Sequence, residues 1–247
     1  ETLFSNVINN YGFTLLDDYG ALWDINNQEN SEIVWNLTIA KAAVDDGTDS
    51  EGHRGHLYFL MEYDKQRGMS RDITNGRPWK RFRPTPFLLG LWDRTMDNRY
   101  DKGFKHVWFA NNDVSDDRGN LVVGDTALYI PGPGKDVDWP QARKDAAPYV
   151  VYTVDDYSER IFPSMNKWID ATRPDRQKTQ GQRDVVLMRL GDAYLLRAEA
   201  KLQQGDPDGA ADDINVVRDR AAVDGMEAAM MITGTDVTLD FLLDERA

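Results

Sequence analysis

Residues 184–222, DVVLMRLGDAYLLRAEAKLQQGDPDGAADDINVVRDRAA, leave the chain little choice of local structure. Leu187, Leu190, Tyr194, Ala198 and Leu202 recur at three- and four-residue steps, which predicts one apolar face of a helix. Ala210, Ile214, Val217 and Ala221 repeat the pattern. Between the two runs lie Gly205, Asp206 and Pro207. Gly205 suits the left-handed conformation that ends a helix. Asp206 suits the cap of the next, and Pro207 its first turn, where a missing N–H does no harm. The expectation is a pair of antiparallel helices, with Ala198, Ala200, Ala210 and Ala211 allowing close approach.

The pattern A-E-A-x-L-x-x-G-D-x-x-x-A-A resembles one tetratricopeptide repeat. Such a repeat is about 34 residues long and does not bury its apolar face alone. Only one copy is present. The motifs around it are Phe162-Pro163-Ser164-Met165-Asn166-Lys167-Trp168 upstream and Leu243-Asp244-Glu245-Arg246 at the end. Earlier come Asn30-Ser31-Glu32-Ile33-Val34-Trp35, then Arg83-Pro84-Thr85-Pro86-Phe87-Leu88-Leu89, then Asp97-Asn98-Arg99.

In this order the motifs resemble the C-terminal portion of the SusD/RagB family. Its members are nutrient-binding, surface glycan-binding lipoproteins of the Bacteroidetes outer membrane that work in polysaccharide utilization. The resemblance implies a SusD-like fold, mainly α with an irregular, loop-rich α/β section and tetratricopeptide-like helical hairpins. It implies binding of an oligosaccharide or polysaccharide and delivery to a SusC-like TonB-dependent transporter. It implies no catalysis and a place at the cell surface, on the outer membrane, through a lipid anchor. Because no signal peptide or lipidated cysteine precedes Glu1, and the last helix pattern stops without a C-cap signal, the chain reads as a piece of a longer protein.

Composition narrows the alternatives. Lys and Arg number 29 against 42 Asp and Glu, a net charge of −13, which disfavours nucleic acid and anionic lipid. No run approaches the roughly 18 apolar residues of a spanning helix. With no cysteine, disulfides, thiol nucleophiles and Cys-ligated metals are excluded. His53 and His56 lack further ligands at a spacing that would hold zinc, so they read as a solvated loop. Asp113, Asp116 and Asp117 form a weak calcium pattern. No cofactor, metal or catalytic residue is expected.

Two sections are expected: a loop-rich mixed α/β part over residues 1–160, on the glycan-binding side, and a helical part over 161–247. A helix is predicted over 1–10, strands over 33–40, 104–110, 127–130 and 149–154, and a longer helix from Thr85 to about Asp97. Residues 43–55 read as a polar loop and 64–83 as a long loop, a length that in compact domains is often functional.

Seven Trp, ten Tyr and nine Phe are the best lead to a site. Sugars present flat C–H faces that lie against rings, while hydroxyls need polar partners. Trp35, Trp92 and Trp168 lie in periodic segments and are expected in the core. Trp79 lies in the long loop with Asn75, Arg77 and Arg81, just after Tyr58 and Tyr63. These six are the candidate glycan-binding residues; Trp23 and Trp139 are weaker candidates of the same kind. The alternative is a tetratricopeptide-like scaffold that binds a protein partner without sugar. A glycoside hydrolase is a third reading, which spacing does not test.

Overall fold

The computed structural model describes residues 1–39 and 52–247. The polar loop expected over 43–55 therefore lies largely outside the described residues. The chain forms two compact units, each discontinuous in sequence: residues 1–38, 91–100 and 184–247, and residues 39–90 and 101–183. The linear division at 160/161 differs from this, because segments far apart in sequence close each unit.

The first unit is built on the helical hairpin. Its helices are Leu190–Gln203 and Pro207–Ala221. Gly205 takes φ +81°, and the Asp206 carboxylate accepts the Gly209 N–H at 2.9 Å. Ala198, Ala210, Ile214, Val217 and Ala221 are buried as the periodicity predicts. Leu195, Ala211, Val237 and Leu242 complete this core. A fully buried aliphatic side chain such as Ile214 or Leu242 stabilises by about 1.5–3 kcal/mol.

The first helix starts later than expected. Val185–Arg189 is a strand, antiparallel to Ile33–Leu37, and Leu187 is exposed rather than on the helix face. The switch from strand to helix falls at Arg189, where the Asp192 carboxylate accepts the Arg189 N–H at 2.8 Å. Thr2–Asn10 forms the predicted first helix and packs on Leu190–Gln203. Thr238 caps the last helix, Leu239–Glu245, by accepting the Phe241 N–H at 3.1 Å.

Polar residues close this unit. The Asp213 carboxylate, on the second hairpin helix, receives Arg197 at 2.6 Å and Lys201 at 3.0 Å from the first. Asn98 donates its N–H to the Ala221 carbonyl and its side-chain amide to that of Ala222. These are among the carbonyls that a helix end leaves unpaired. Asp97 pairs with Arg99 at 2.7 Å, Arg99 with Glu245 at 2.9 Å, and Glu245 with Arg218.

The second unit is loop-rich. Val107–Phe109 runs antiparallel to Thr126–Tyr129, which in turn pairs in parallel with Val150–Val151. Phe104–Lys105 pairs with Ser164–Met165. Trp108 and Tyr63 stack at 4.9 Å in the middle of a core that includes Leu60, Met61, Leu128 and Phe162. The helix expected from Thr85 is only Pro86–Leu89: Thr85 caps it as predicted, but Gly90 ends it after one turn.

Candidate functional site: a row of rings

The long loop places its aromatics through one backbone device. The helix Gly55–Tyr58 leaves its last carbonyls unpaired. Trp79 N–H reaches the Leu57 carbonyl at 2.8 Å, and the N–H groups of Arg81 and Phe82 both reach that of Tyr58 at 2.9 Å. Residues 79–82 are thereby fastened beside Tyr58 and Phe59. Between Trp79 and Arg81, Lys80 adopts φ +54° and is the one non-glycine with positive φ among the described residues. That conformation is disfavoured for a residue with a Cβ. It is held by an ion pair from Lys80 to Glu62 at 2.5 Å, and Glu62 also receives Arg160 at 3.1 Å. The Lys80 hydrogen bond is the main reason the Glu62 carboxyl titrates below its usual range.

The result is a row of rings. Trp79 lies 6.1 Å from Tyr58, and Tyr58 lies 5.9 Å edge-on to Phe82. Phe82 is 5.2 Å from Phe59, which stacks on Trp168 at 4.7 Å and 8°. His53 ends the row, 6.0 Å from Trp168. Phe82 is 55% exposed, and Tyr58, Phe59, Trp79 and Trp168 are half-buried. Gly55 allows the Trp168 placement, since a Cβ there would come within 2.5 Å of the Trp168 ring.

Of the six predicted residues, the structure brings four together. Tyr58 and Trp79 are in the row, the Arg77 guanidinium lies 5.7 Å from the Trp79 ring, and Arg81 is exposed beside Phe82 in the chain. Tyr63 and Asn75 are withdrawn. Tyr63 is fully buried, its hydroxyl donating to the Gly76 carbonyl at 2.6 Å, and burial drives its pKa well above the phenol range. Asn75 is buried between Asp72 and Lys105, hydrogen-bonded to both. Desolvation pulls Lys105 down to about 8 against the attraction of Asp72. These two residues therefore form the floor beneath the loop, with no ring or amide facing solvent.

Sequence reasoning missed Phe59, Phe82 and Trp168. Trp168 was expected in the core on periodicity, and Phe59 and Phe82 have no motif. Trp35, also expected in the core, is 64% exposed on the two-stranded ribbon. Trp139 lies 5.5 Å from Tyr129, with the Arg143 guanidinium over its ring at 4.1 Å. Trp23 sits edge-on to Tyr19 with Arg189 at 5.6 Å.

The histidines are packed rather than solvated. His56 is buried, its Nε2 3.0 Å from the Thr179 carbonyl, and His53 Nδ1 accepts the Gly55 N–H at 2.9 Å. Asp116 is held by Arg67 and Asp113 accepts the Val123 N–H. Among the described residues no His, Asp and Glu group is arranged to hold a metal ion.

A sequence model of the SusD family matches residues 31–247. This chain belongs to the SusD family. It is 27% identical over 218 residues to the SusD-like protein P25 of Formosa agariphila, covering 87% of this chain and 36% of that protein. Surface glycan-binding protein A from Bacteroides thetaiotaomicron shares the fold at a TM-score of 0.59 and 15% identity. That match covers 99% of this chain and 45% of the other. A laminarin-binding SusD-like protein matches at a TM-score of 0.57 and 20% identity, covering 99% and 46%. The SusD-family chain thus spans less than half the length of these relatives. Among the described residues, no helix is long and apolar enough to cross a membrane.

Proposed function

We propose that this SusD-family chain binds an oligosaccharide or polysaccharide along the row Trp79, Tyr58, Phe82, Phe59 and Trp168. The observation that carries this reading is the row itself: adjacent rings 4.7–6.1 Å apart, partly open to solvent, with Arg77 at the Trp79 end and the exposed Arg81 next to Phe82 in the chain. A carbohydrate needs an apolar face and a few polar groups, and the row supplies both. Surface glycan-binding and laminarin-binding relatives with the same fold support it. No bond is made or broken: rings stack on sugar faces and the guanidinium groups take hydroxyls or acidic substituents.

The captured glycan passes to a SusC-like TonB-dependent transporter at the outer-membrane surface. The hairpin of Leu190–Gln203 and Pro207–Ala221, read as tetratricopeptide-like, serves contact with that partner. The exposure of Trp35, Leu37 and Leu187 on the ribbon of the same unit favours a protein contact there, as the scaffold reading also requires. Titration of tryptophan fluorescence against a panel of neutral and acidic oligosaccharides tests the function. A saturable change with at least one glycan is expected. No change with any, together with binding of a protein partner, would leave the scaffold reading instead. Release of reducing ends on long incubation would replace capture by hydrolysis.

A further inference from the structure

The charge around the rings departs from that of the rest of the chain. Acidic residues number 42 in 247, yet residues 73–90 contain none, and the same stretch holds Arg77, Lys80, Arg81 and Arg83. It is also the stretch that supplies Trp79 and Phe82 to the row. Arg81 and Arg83, which flank Phe82, are exposed. Among the described residues neither they nor Arg77 has a carboxylate partner; Arg77 donates to the neutral Gln177 carbonyl. Glu62 is shared between Lys80 and Arg160, so that group of three carries a net positive charge. At the other end, the Lys167 ammonium lies 5.8 Å from the Trp168 ring.

We infer that the ligand of this row is an anionic glycan, one bearing carboxylate or sulfate groups on sugars whose faces lie against the rings. The inference rests on the glycan-binding reading above and adds the class of glycan. A planar guanidinium fork matches the two oxygens of a carboxylate or sulfate, and among the described residues no acid engages Arg81 or Arg83. Bulk electrostatics point the other way. At −13 the chain as a whole repels polyanions, so a preference for them reports the local placement of these cations.

The test is calorimetric titration of the full chain with matched pairs of oligosaccharides. One pair is an oligogalacturonide and its carboxyl-reduced form; the other is a sulfated galactan oligosaccharide and its desulfated form. The acidic member of at least one pair is expected to bind about threefold to thirtyfold tighter at low salt, as a few partly exposed ion pairs would give. The pair that shows it distinguishes carboxylate from sulfate. The advantage shrinks at high salt, where screening weakens attraction between exposed charges. The double substitution R81Q/R83Q, at exposed positions, brings the acidic-to-neutral ratio toward one, while R81K/R83K keeps part of it. Equal or tighter binding of the neutral members, or a ratio that R81Q/R83Q does not move, overturns the inference and leaves glycan binding standing. Failure of all four ligands to bind overturns both.

Discussion

Glu32 and Arg220, 188 positions apart in sequence, form a bidentate ion pair at 2.5 and 3.1 Å with the Glu32 side chain fully buried. Glu32 also accepts the Leu16 N–H at 3.2 Å, and its own carbonyl accepts the Leu190 N–H at 2.8 Å. One residue thus ties the N-terminal segment, the ribbon and both hairpin helices together. Removing one member of a buried pair strands the other charge, which costs about 3–5 kcal/mol. Glu32→Gln is therefore expected to lower stability by that order in a denaturant melt. A loss under 1 kcal/mol would show that the pair does not hold the unit together.

Lys80 is the backbone anchor of the ring row. Lys80→Ala removes the ion pair to Glu62 and keeps the strained left-handed conformation; Lys80→Gly removes both. The glycine variant is expected to be more stable than the alanine variant by about 1 kcal/mol. Thermal melts of the two, compared directly, check this. The reverse order would mean that residue 80 does not keep its left-handed backbone.

His56 gives the fold a pH limit. Burial is the main cause of its low pKa, about 4 against a usual 6.5, with the Arg173 charge adding to it. Protonation would also place a proton on Nδ1, which has no hydrogen-bond partner among the described residues. A histidine lowered in the folded state binds fewer protons there than when unfolded. Its contribution is whole above pH 6.5 and is lost as pH falls toward 4, up to about 3 kcal/mol. Asp170, which faces it, acts lower on the scale. Burial raises its pKa, but hydrogen bonds from Thr172, Gln182 and Arg183 outweigh that and hold it below the usual range. Denaturant melts between pH 7 and 4 should show the loss, and His56→Gln should flatten it. An equal slope in the variant would assign the acid sensitivity elsewhere.

The hairpin was legible because its signals are local. Periodicity, the Gly205 turn and the Asp206 cap all act within a few residues. The strand at Val185–Arg189 was not, because Leu187 fits the helical period and only pairing with Ile33–Leu37 decides otherwise. Much of what carried the family resemblance is scaffold: Glu32, Asp97, Asn98, Arg99 and Glu245 all bond within the helical unit. Trp168 is the member of the ring row that lies in one of the family motifs; Tyr58, Phe59, Trp79 and Phe82 lie outside them. Trp79 and Tyr58 could be singled out by residue type, but Phe82 joins them only through the Tyr58 carbonyl, and Trp168, from a distant segment, only by stacking on Phe59. Tyr63 and Asn75 are near Trp79 in sequence, yet the same folding turns them inward.

Two exposed rings separate glycan capture along the row from a general stickiness of aromatics. Phe82 is 55% exposed within the row, and Trp35 is 64% exposed on the ribbon of the other unit. Affinities of Phe82→Ala and Trp35→Ala for the best-bound oligosaccharide, measured side by side by calorimetry, decide between them. Loss of one stacked ring is worth about 1–1.5 kcal/mol. Phe82→Ala is thus expected to weaken binding about fivefold to tenfold, with Trp35→Ala unchanged. Undiminished affinity in Phe82→Ala alongside a loss in Trp35→Ala would place the sugar away from the row and contradict the proposed site.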